Sequence, residues 1–140
     1  MRFLPVEKGW LADETNKICL HCCDLYTGSS VAVDLGSEMP TEMIQGLGAL
    51  AGVVISHKHP DRLHNDHLRL IDAPKYGPAD VVEELRRGGL DVVVLSIGES
   101  RHIGGFAFTA LRSDHGPTIS APIDNLALEL SADGKSLLWW

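Results

Sequence analysis

The stretch Val53-Val54-Ile55-Ser56-His57-Lys58-His59-Pro60-Asp61-Arg62 decides how the rest of the chain is interpreted. Its apolar, β-branched beginning is typical of a buried strand, and three side chains that can bind a metal follow at alternate positions. In an extended chain alternate residues lie on one side, so we expect His57, His59 and Asp61 to converge. Pro60 favours this arrangement because it disfavours a helical conformation of His59. Two imidazoles and a carboxylate suit zinc, and less exclusively manganese or iron, so the stretch predicts a metal site.

Composition and charge restrict the class of protein. The chain has 140 residues, of which 44% are hydrophobic, which is enough for one domain with a real core. A formal charge of -7 argues against a nucleic-acid binder but is compatible with a small anionic substrate held by a few local cations. Cys19, Cys22 and Cys23 are too few and too close for a secreted disulfide framework. With neither a signal peptide nor a long apolar run, we expect a cytoplasmic protein that does not enter membranes.

The first half of the chain alternates strands with a helix. Residues 17–25 show a partly alternating apolar pattern and are predicted to form a strand. Turn residues on both sides indicate an antiparallel arrangement with residues 31–35 and with a segment around Trp10. Thr41 is predicted to cap a helix that Gly52 ends, directly before the strand that carries the metal site.

The second half changes from alternating helices and strands to strands alone. Residues 63–71 are expected to form a short helix or an irregular lid, Pro78 to open a helix closed by Gly88-Gly89, and residues 91–95 to form a buried strand. Three further strands are predicted at residues 104–111, 125–130 and 136–140, the last two joined by a hairpin turn at 132–135. The pattern indicates an α/β (α+β) fold, with helices covering a mixed sheet.

The motif His57-Lys58-His59-Pro60-Asp61 resembles that of the metallo-β-lactamase superfamily. The signature of this family is His-x-His-x-Asp-His after a buried strand, with an upstream Asp-x-Gly and a later ligand histidine. Asp34-Leu35-Gly36 and Ser113-Asp114-His115-Gly116 occur in the corresponding order and at roughly the corresponding spacing. The sequences of residues 54–61 and 124–126 most resemble those of the lactonase-like and phosphodiesterase-like branches. The resemblance implies one domain over residues 1–140, a partial αββα sandwich that lacks the C-terminal part of the family fold.

The resemblance also implies a role for each residue of the motif. One metal would be held by His57, His59 and His115, and Asp61 would be a ligand of a second metal. Asp61 would also orient the attacking water or act as its general base. Asp34, expected behind the site, would fix a ligand loop by accepting hydrogen bonds.

Two departures from the family pattern affect the expected number of metals. Arg62 stands where the signature has its last histidine, and the chain stops at Trp139-Trp140, where the family places a metal-bridging aspartate. Of the second metal's ligands only Asp61 is present, so we expect one zinc ion per chain, with Mn²⁺ or Fe²⁺ as alternatives. The guanidinium of Arg62 would oppose a second cation and bind an anionic substrate group instead.

The family chemistry implies hydrolysis of an ester, lactone or phosphodiester by a metal-bound hydroxide. The alternative is a metal-poor, non-catalytic relic of the fold that serves as a binding or assembly module.

The apolar strand at residues 136–140 indicates an edge that could pair in a homodimer. His64 and His67 could share a helix face and replace lost ligands, or be solvated residues of a surface helix. His102 is expected on a surface loop. The sequence does not specify which of these substrates, an ester, a lactone or a phosphodiester, is used.

Overall fold

The computed structural model of the chain describes residues 2–3, 21–24, 30–114, 123–132 and 134–139. Within these ranges the backbone forms ten strands and three short helices. In chain order they are β1 Arg2–Phe3, β2 His21–Asp24, β3 Ser30–Val33, α1 Thr41–Gln45, β4 Gly52–Val54, α2 Asn65–Arg69, β5 Lys75–Gly77, α3 Ala79–Arg87, β6 Val93–Val94, β7 Ser100–Ile103, β8 Phe106–Arg112, β9 Leu126–Ala132 and β10 Lys135–Trp139.

The strands form two sheets of different type. The first sheet has the order β1-β2-β3-β4-β5-β6, with antiparallel pairing up to β3 and parallel pairing from β3 to β6. Parallel neighbours need a crossover, and each of the three crossovers here carries one helix. The second sheet is antiparallel, in the order β10-β9-β8-β7. This is the mixed α/β fold that the sequence predicts.

Alternation of side chains along β3 and β4 creates two separate cores. Val31, Val33 and Val54 pack toward the second sheet, in a cluster with Phe106 and Phe108. The alternate residues on these strands, and the residue after β4, point to the opposite side, where they pack against the helices. They are Ala32, Val53 and Ile55. The first sheet therefore lies between a helical layer and the second sheet, which corresponds to part of the expected sandwich.

Several predicted elements are confirmed. Strand β2 pairs antiparallel with β3, as expected, although only residues 21–24 of the predicted strand 17–25 are described, and the segment around Trp10 lies outside the described residues. Pro78 is the N-cap of α3 and Gly88 its C-cap. Ala132 pairs with Lys135 across the predicted hairpin turn.

The predicted helix from Thr41 to Gly52 is wrong at both ends. Thr41 is the first helical residue, the N-cap is Pro40, and no side chain caps the helix. The helix ends at Gln45, and Gly52 belongs to β4 instead of stopping the helix. A Cβ on Gly52 would lie 2.5 Å from Cγ2 of Ile103. Glycine is therefore required here because the second sheet approaches closely, and not because a helix ends.

Two predictions after α3 also need correction. Only Val93–Val94 of the predicted buried strand 91–95 are in β6, which is the outer strand of its sheet in the described part, and Val94 is 36% exposed. His102 lies on β7 and not in a loop, with its side chain exposed. The sequence of β7 is mostly polar and lacks the alternating apolar pattern of a strand, because a strand at the edge of a sheet requires little apolar surface. No helix in the described ranges is long and apolar enough to cross a bilayer.

Candidate metal centre

After β4, residues 56–62 bring three potential metal ligands together, and we refer to this segment as the ligand loop. One ligand atom from each of His57, His59 and Asp61 lies within 4.8 Å of the other two. The imidazole rings of the two histidines meet edge to face, with centroids 5.1 Å apart. Asp61 reaches the group through a turn and not through extended chain, because the backbone amides of Arg62 and Leu63 both donate to the carbonyl of His59. His57 is buried, whereas His59 and Asp61 are partly exposed, so the group is open to solvent on one side.

Asp34 is the polar centre of the loops behind the ligand group. Its side chain is fully buried and its φ is +56°, a left-handed conformation that aspartate tolerates better than most residues. Oδ1 accepts the Ser56 amide at 2.7 Å, and Oδ2 accepts the Ser56 hydroxyl at 2.8 Å. Oδ2 also accepts Arg62 Nη1 at 3.0 Å and Trp139 Nε1 at 2.7 Å. Four donors therefore compensate the burial of one carboxylate.

The Ser56 hydroxyl determines the tautomer of His57. Ser56 Oγ lies 3.0 Å from His57 Nδ1. A hydroxyl has one proton, and an ionised carboxylate accepts only, so Ser56 gives its proton to Asp34 and accepts from His57 Nδ1. The unprotonated nitrogen of His57 is then Nε2, the nitrogen that can bind a metal. A buried carboxylate thus orients an imidazole of the candidate ligand group through one intervening hydroxyl.

Arg62 lies between two carboxylates and an indole ring. Nη1 is 3.0 Å from Asp34 Oδ2 and Nε is 3.4 Å from Asp61 Oδ2. The guanidinium carbon lies 5.2 Å from the centroid of the Trp139 ring, a cation–π distance. An anionic substrate group would therefore compete with Asp34 and Asp61 for this cation.

His115, expected as the third imidazole, lies outside the described residues. The nearest described position is Asp114, which is exposed, and the preceding Ser113 accepts a hydrogen bond from Asn125 Nδ2 at 3.0 Å. Within the described part of the chain, the residues that could hold a metal together are His57, His59 and Asp61.

His64 and His67 lie side by side behind the ligand loop. Their ring centroids are 4.2 Å apart, but His67 is buried in α2, so it is not a solvated surface residue. His67 Nδ1 lies 3.0 Å from the carbonyl oxygen of Gly36, which can only accept, so Nδ1 carries the proton. Burial lowers the pKa of His67, and the neighbouring His64 adds to that effect against the opposing influence of the Gly36 carbonyl and Asp66.

Gly36 is in direct contact with the ligand loop. A Cβ at this position would overlap the carbonyl group of Asp61, so the backbones touch where only glycine fits. Close by, the Ser37 amide donates to the Pro60 carbonyl at 2.7 Å. The sequence alone indicated no role for Ser56, and Trp139 was expected only as part of the apolar strand at residues 136–140. For Ser56 the signal was its position directly before the first motif histidine, whereas nothing local in the sequence marks Trp139 as a partner of Asp34.

A mixed sheet with crossover helices, a second sheet on its other face and a His-x-His-x-Asp loop at a strand end together define a class of metal-binding α/β sandwich proteins. Residues 29–140 match the family described as the beta-lactamase superfamily domain. The chain belongs to this family, which confirms the resemblance seen in the motif. No curated protein sequence matches the chain significantly.

Solved structures share the fold at low sequence identity. A candidate metal-dependent hydrolase from Parabacteroides distasonis is 18% identical with a TM-score of 0.67, over 85% of this chain and 59% of that one. A metallo hydrolase from Ignicoccus hospitalis is 18% identical with a TM-score of 0.64, over 85% of this chain and 55% of that one. CmlA, a diiron β-hydroxylase from Streptomyces venezuelae, is 15% identical with a TM-score of 0.61, over 86% of this chain and 27% of that one. The chain thus spans less than two thirds of each of these structures.

Proposed function

We propose that the protein is a metal-dependent hydrolase that cleaves an ester, a lactone or a phosphodiester. The observation that carries the proposal is the convergence of His57, His59 and Asp61 at the end of β4. The family membership and the hydrolases among the similar structures support the same chemistry. CmlA has a different activity on the same fold, so the proposal rests on the side chains of the loop and not on the fold alone.

The donor set fits one divalent ion. Nε2 of His57, one nitrogen of His59 and a carboxylate oxygen of Asp61 would hold it, and we propose His115 as the third imidazole. Zinc suits this mixture of nitrogen and oxygen ligands, with Mn²⁺ and Fe²⁺ as alternatives. When bound, such an ion lowers the pKa of a coordinated water and polarises the bond to be cleaved. The cation at Arg62, in contact with Asp61, disfavours a second ion in the same space.

The protein residues have separate tasks in this scheme. Asp61 is partly exposed and can accept a proton from the attacking water or orient it. Arg62 forms an ion pair with Asp61, with Nε 3.4 Å from Oδ2. Asp34 acts one step further back, because it fixes Ser56, which in turn fixes the ring of His57. The site is thus supported by hydrogen bonds before a substrate arrives.

Elemental analysis combined with a hydrolysis screen tests the proposal. We expect close to one zinc ion per chain, and His57→Ala should lose both the metal and the hydrolysis of esters, lactones or phosphodiesters, because the buried ligand is removed. His102→Ala is the matched control, since this exposed histidine lies on β7 away from the ligand loop. Full metal content and activity in His57→Ala would contradict the proposal.

A second candidate is a non-catalytic module that has lost its metal. It is favoured by the pairing of Arg62 with both Asp34 and Asp61, since an internal cation already satisfies carboxylates near the site. In that case the chain should take up no metal even at millimolar zinc, and His59→Ala should leave its thermal unfolding unchanged. Metal uptake by the unmodified chain that is lost in His59→Ala would exclude this candidate.

A further inference from the structure

A cavity of about 210 Å³ lies at the carboxyl ends of β5 and β6. We refer to it as the recess. Its apolar walls come from three parts of the chain, namely the N-cap and first residue of α3, the end of β6 with the segment that follows it, and the start of β9. The apolar side chains that line it include Pro78, Val94, Leu95, Ile97 and Leu126. Its polar lining comes from Ser96, Asp124 and Asn125.

The recess is next to the candidate metal centre. His57 follows β4, and β4, β5 and β6 are consecutive parallel strands, so their carboxyl ends lie along one edge of the sheet. Neighbouring strands are about 4.8 Å apart, which puts the recess roughly 5–10 Å along that edge from the strand that leads to His57. The Leu126 amide donates to the Ser56 carbonyl at 3.1 Å, so one wall of the recess directly contacts the segment that carries the ligands. Ligands commonly bind outside the carboxyl ends of such strands.

The charges beside the recess disfavour an anion. Asp80 and Asp124 form reciprocal hydrogen bonds, each carboxylate accepting the other's backbone amide, at 3.4 Å and 3.1 Å. Lys58 is the ammonium paired with Asp80, at 3.3 Å. Among the residues that the structure describes, these two carboxylates and one ammonium leave a net negative charge, which would repel a carboxylate or phosphate placed there.

The walls favour an aliphatic group. Ile97 is 51% exposed and Val94 is 36% exposed, so apolar surface stands open to solvent at this position. Covering such surface with an apolar ligand group is favourable by about 25 cal/mol per Å². A cavity of about 210 Å³ is smaller than the roughly 300–1,000 Å³ typical of sites for drug-sized ligands, which indicates a short group.

We propose that the recess binds a short, neutral aliphatic group of the substrate, and that the substrate is a carboxylic ester or lactone. The second part rests on the proposed hydrolase function. With the aliphatic chain in the recess, the acyl carbon would lie toward His57. Hydrolysis forms a bond from the water oxygen to that carbon and breaks the bond from the carbon to the alcohol oxygen, which takes up a proton.

Binding of a neutral probe tests the recess independently of activity. We expect hexanamide to shift the methyl resonances of Val94, Ile97 and Leu126 in NMR spectra, and hexanoate to bind more weakly because of the nearby carboxylates. Ile97→Asp should weaken hexanamide binding roughly tenfold or more, since it replaces apolar contact by charge. Ser96→Phe, which would fill the recess, should also block binding. Leu70→Asp is the matched control, because Leu70 is 49% exposed but does not line the recess.

A series of p-nitrophenyl esters tests the link to catalysis. We expect kcat/KM to rise from acetate to hexanoate, and this preference to disappear in Ile97→Asp but not in Leu70→Asp. Hexanamide binding without hydrolysis of any ester, lactone or phosphodiester would retain the recess and reject the hydrolase function. Hydrolysis without hexanamide binding and without chain-length preference would overturn the recess. Cleavage of bis(p-nitrophenyl) phosphate in preference to every ester would overturn the assignment of the substrate class.

Discussion

Asp34 shows how much of the site depends on one side chain. The Asp-x-Gly pattern indicated this residue, and the structure places it fully buried beside Ser56, Arg62 and Trp139. Each of these partners belongs to a different segment, so the carboxylate connects the end of β4, the ligand loop and β10. Its proposed task, to hold the ligand loop through hydrogen bonds, agrees with these contacts but awaits a test.

Asp34→Asn should separate this task from simple space filling. The amide keeps the shape but brings its own N–H group toward four donors and leaves Arg62 short of a counter-charge, so we expect a loss of about 3 kcal/mol in the free energy of unfolding. Zinc affinity should fall about 10–100-fold because His57 loses its orientation. Thermal unfolding and metal titration measure the two effects. Asp66→Asn, at an exposed position of α2, is the control, and equal effects in both variants would contradict this role.

At the scale of elements, α2 is more than a connection between β4 and β5. The spacing of His64 and His67 left open whether they share a helix face; the rings lie together, but His64 is the N-cap of α2 and only His67 lies within the helix. What the spacing did not indicate is the burial of His67 and its hydrogen bond to the Gly36 carbonyl. This hydrogen bond joins α2 to the loop at Gly36, which is in direct contact with Asp61.

The pH dependence of stability should reveal the burial of His67. Its pKa in the folded state is lowered from 6.5, chiefly by desolvation, so the unfolded chain takes up this proton first as the pH falls. The contribution of His67 to the free energy of unfolding should be complete above about pH 6.5 and decrease from there toward the lowered pKa. Denaturant unfolding between pH 7.5 and roughly pH 5 measures this slope.

His67→Asn should reduce that slope, because its amide can replace Nδ1 as a donor but does not titrate. His102→Asn removes an exposed histidine from β7 and serves as the control. If His67→Asn and the unmodified chain lose stability in parallel on acidification, another group is responsible.

At the scale of the whole molecule, the second sheet has an outer strand with an exposed apolar residue. In the described part, β10 is the outer strand of the second sheet, and Leu138 on it is 48% exposed. An outer strand with exposed apolar residues can pair with a second copy. The homodimer expected from the sequence therefore stays a prediction, with β10 as the proposed contact.

Leu138→Lys tests this prediction, since an edge lysine places charge where another copy would pack. We expect the unmodified chain to sediment as a dimer and the variant to shift toward monomer at the same concentration. Leu70→Lys introduces the same charge at a similarly exposed position on another surface. A monomer at every concentration of the unmodified chain would refute the dimer.

Local patterns in the sequence were sufficient to predict the mixed fold, the helix after Pro78, the final hairpin and the family. These features depend on residue types at short spacing, such as alternating apolar residues or histidines two positions apart. The predicted length of α1 was wrong and the strand β7 was missed, because both features depend on neighbours that are distant in the chain. Gly52, for example, reads as a helix stop but is required by Ile103 across the sheets.

The tertiary structure alone decided which side chains meet around Asp34. Trp139 donates to Asp34 across 105 positions of the chain, and the guanidinium of Arg62 lies over the same indole, only because the second sheet packs against the first and brings β10 to the site. The burial of His67 and the recess beside β6 have the same origin. Such contacts are set by how the layers pack, and no short-range pattern of residues encodes them.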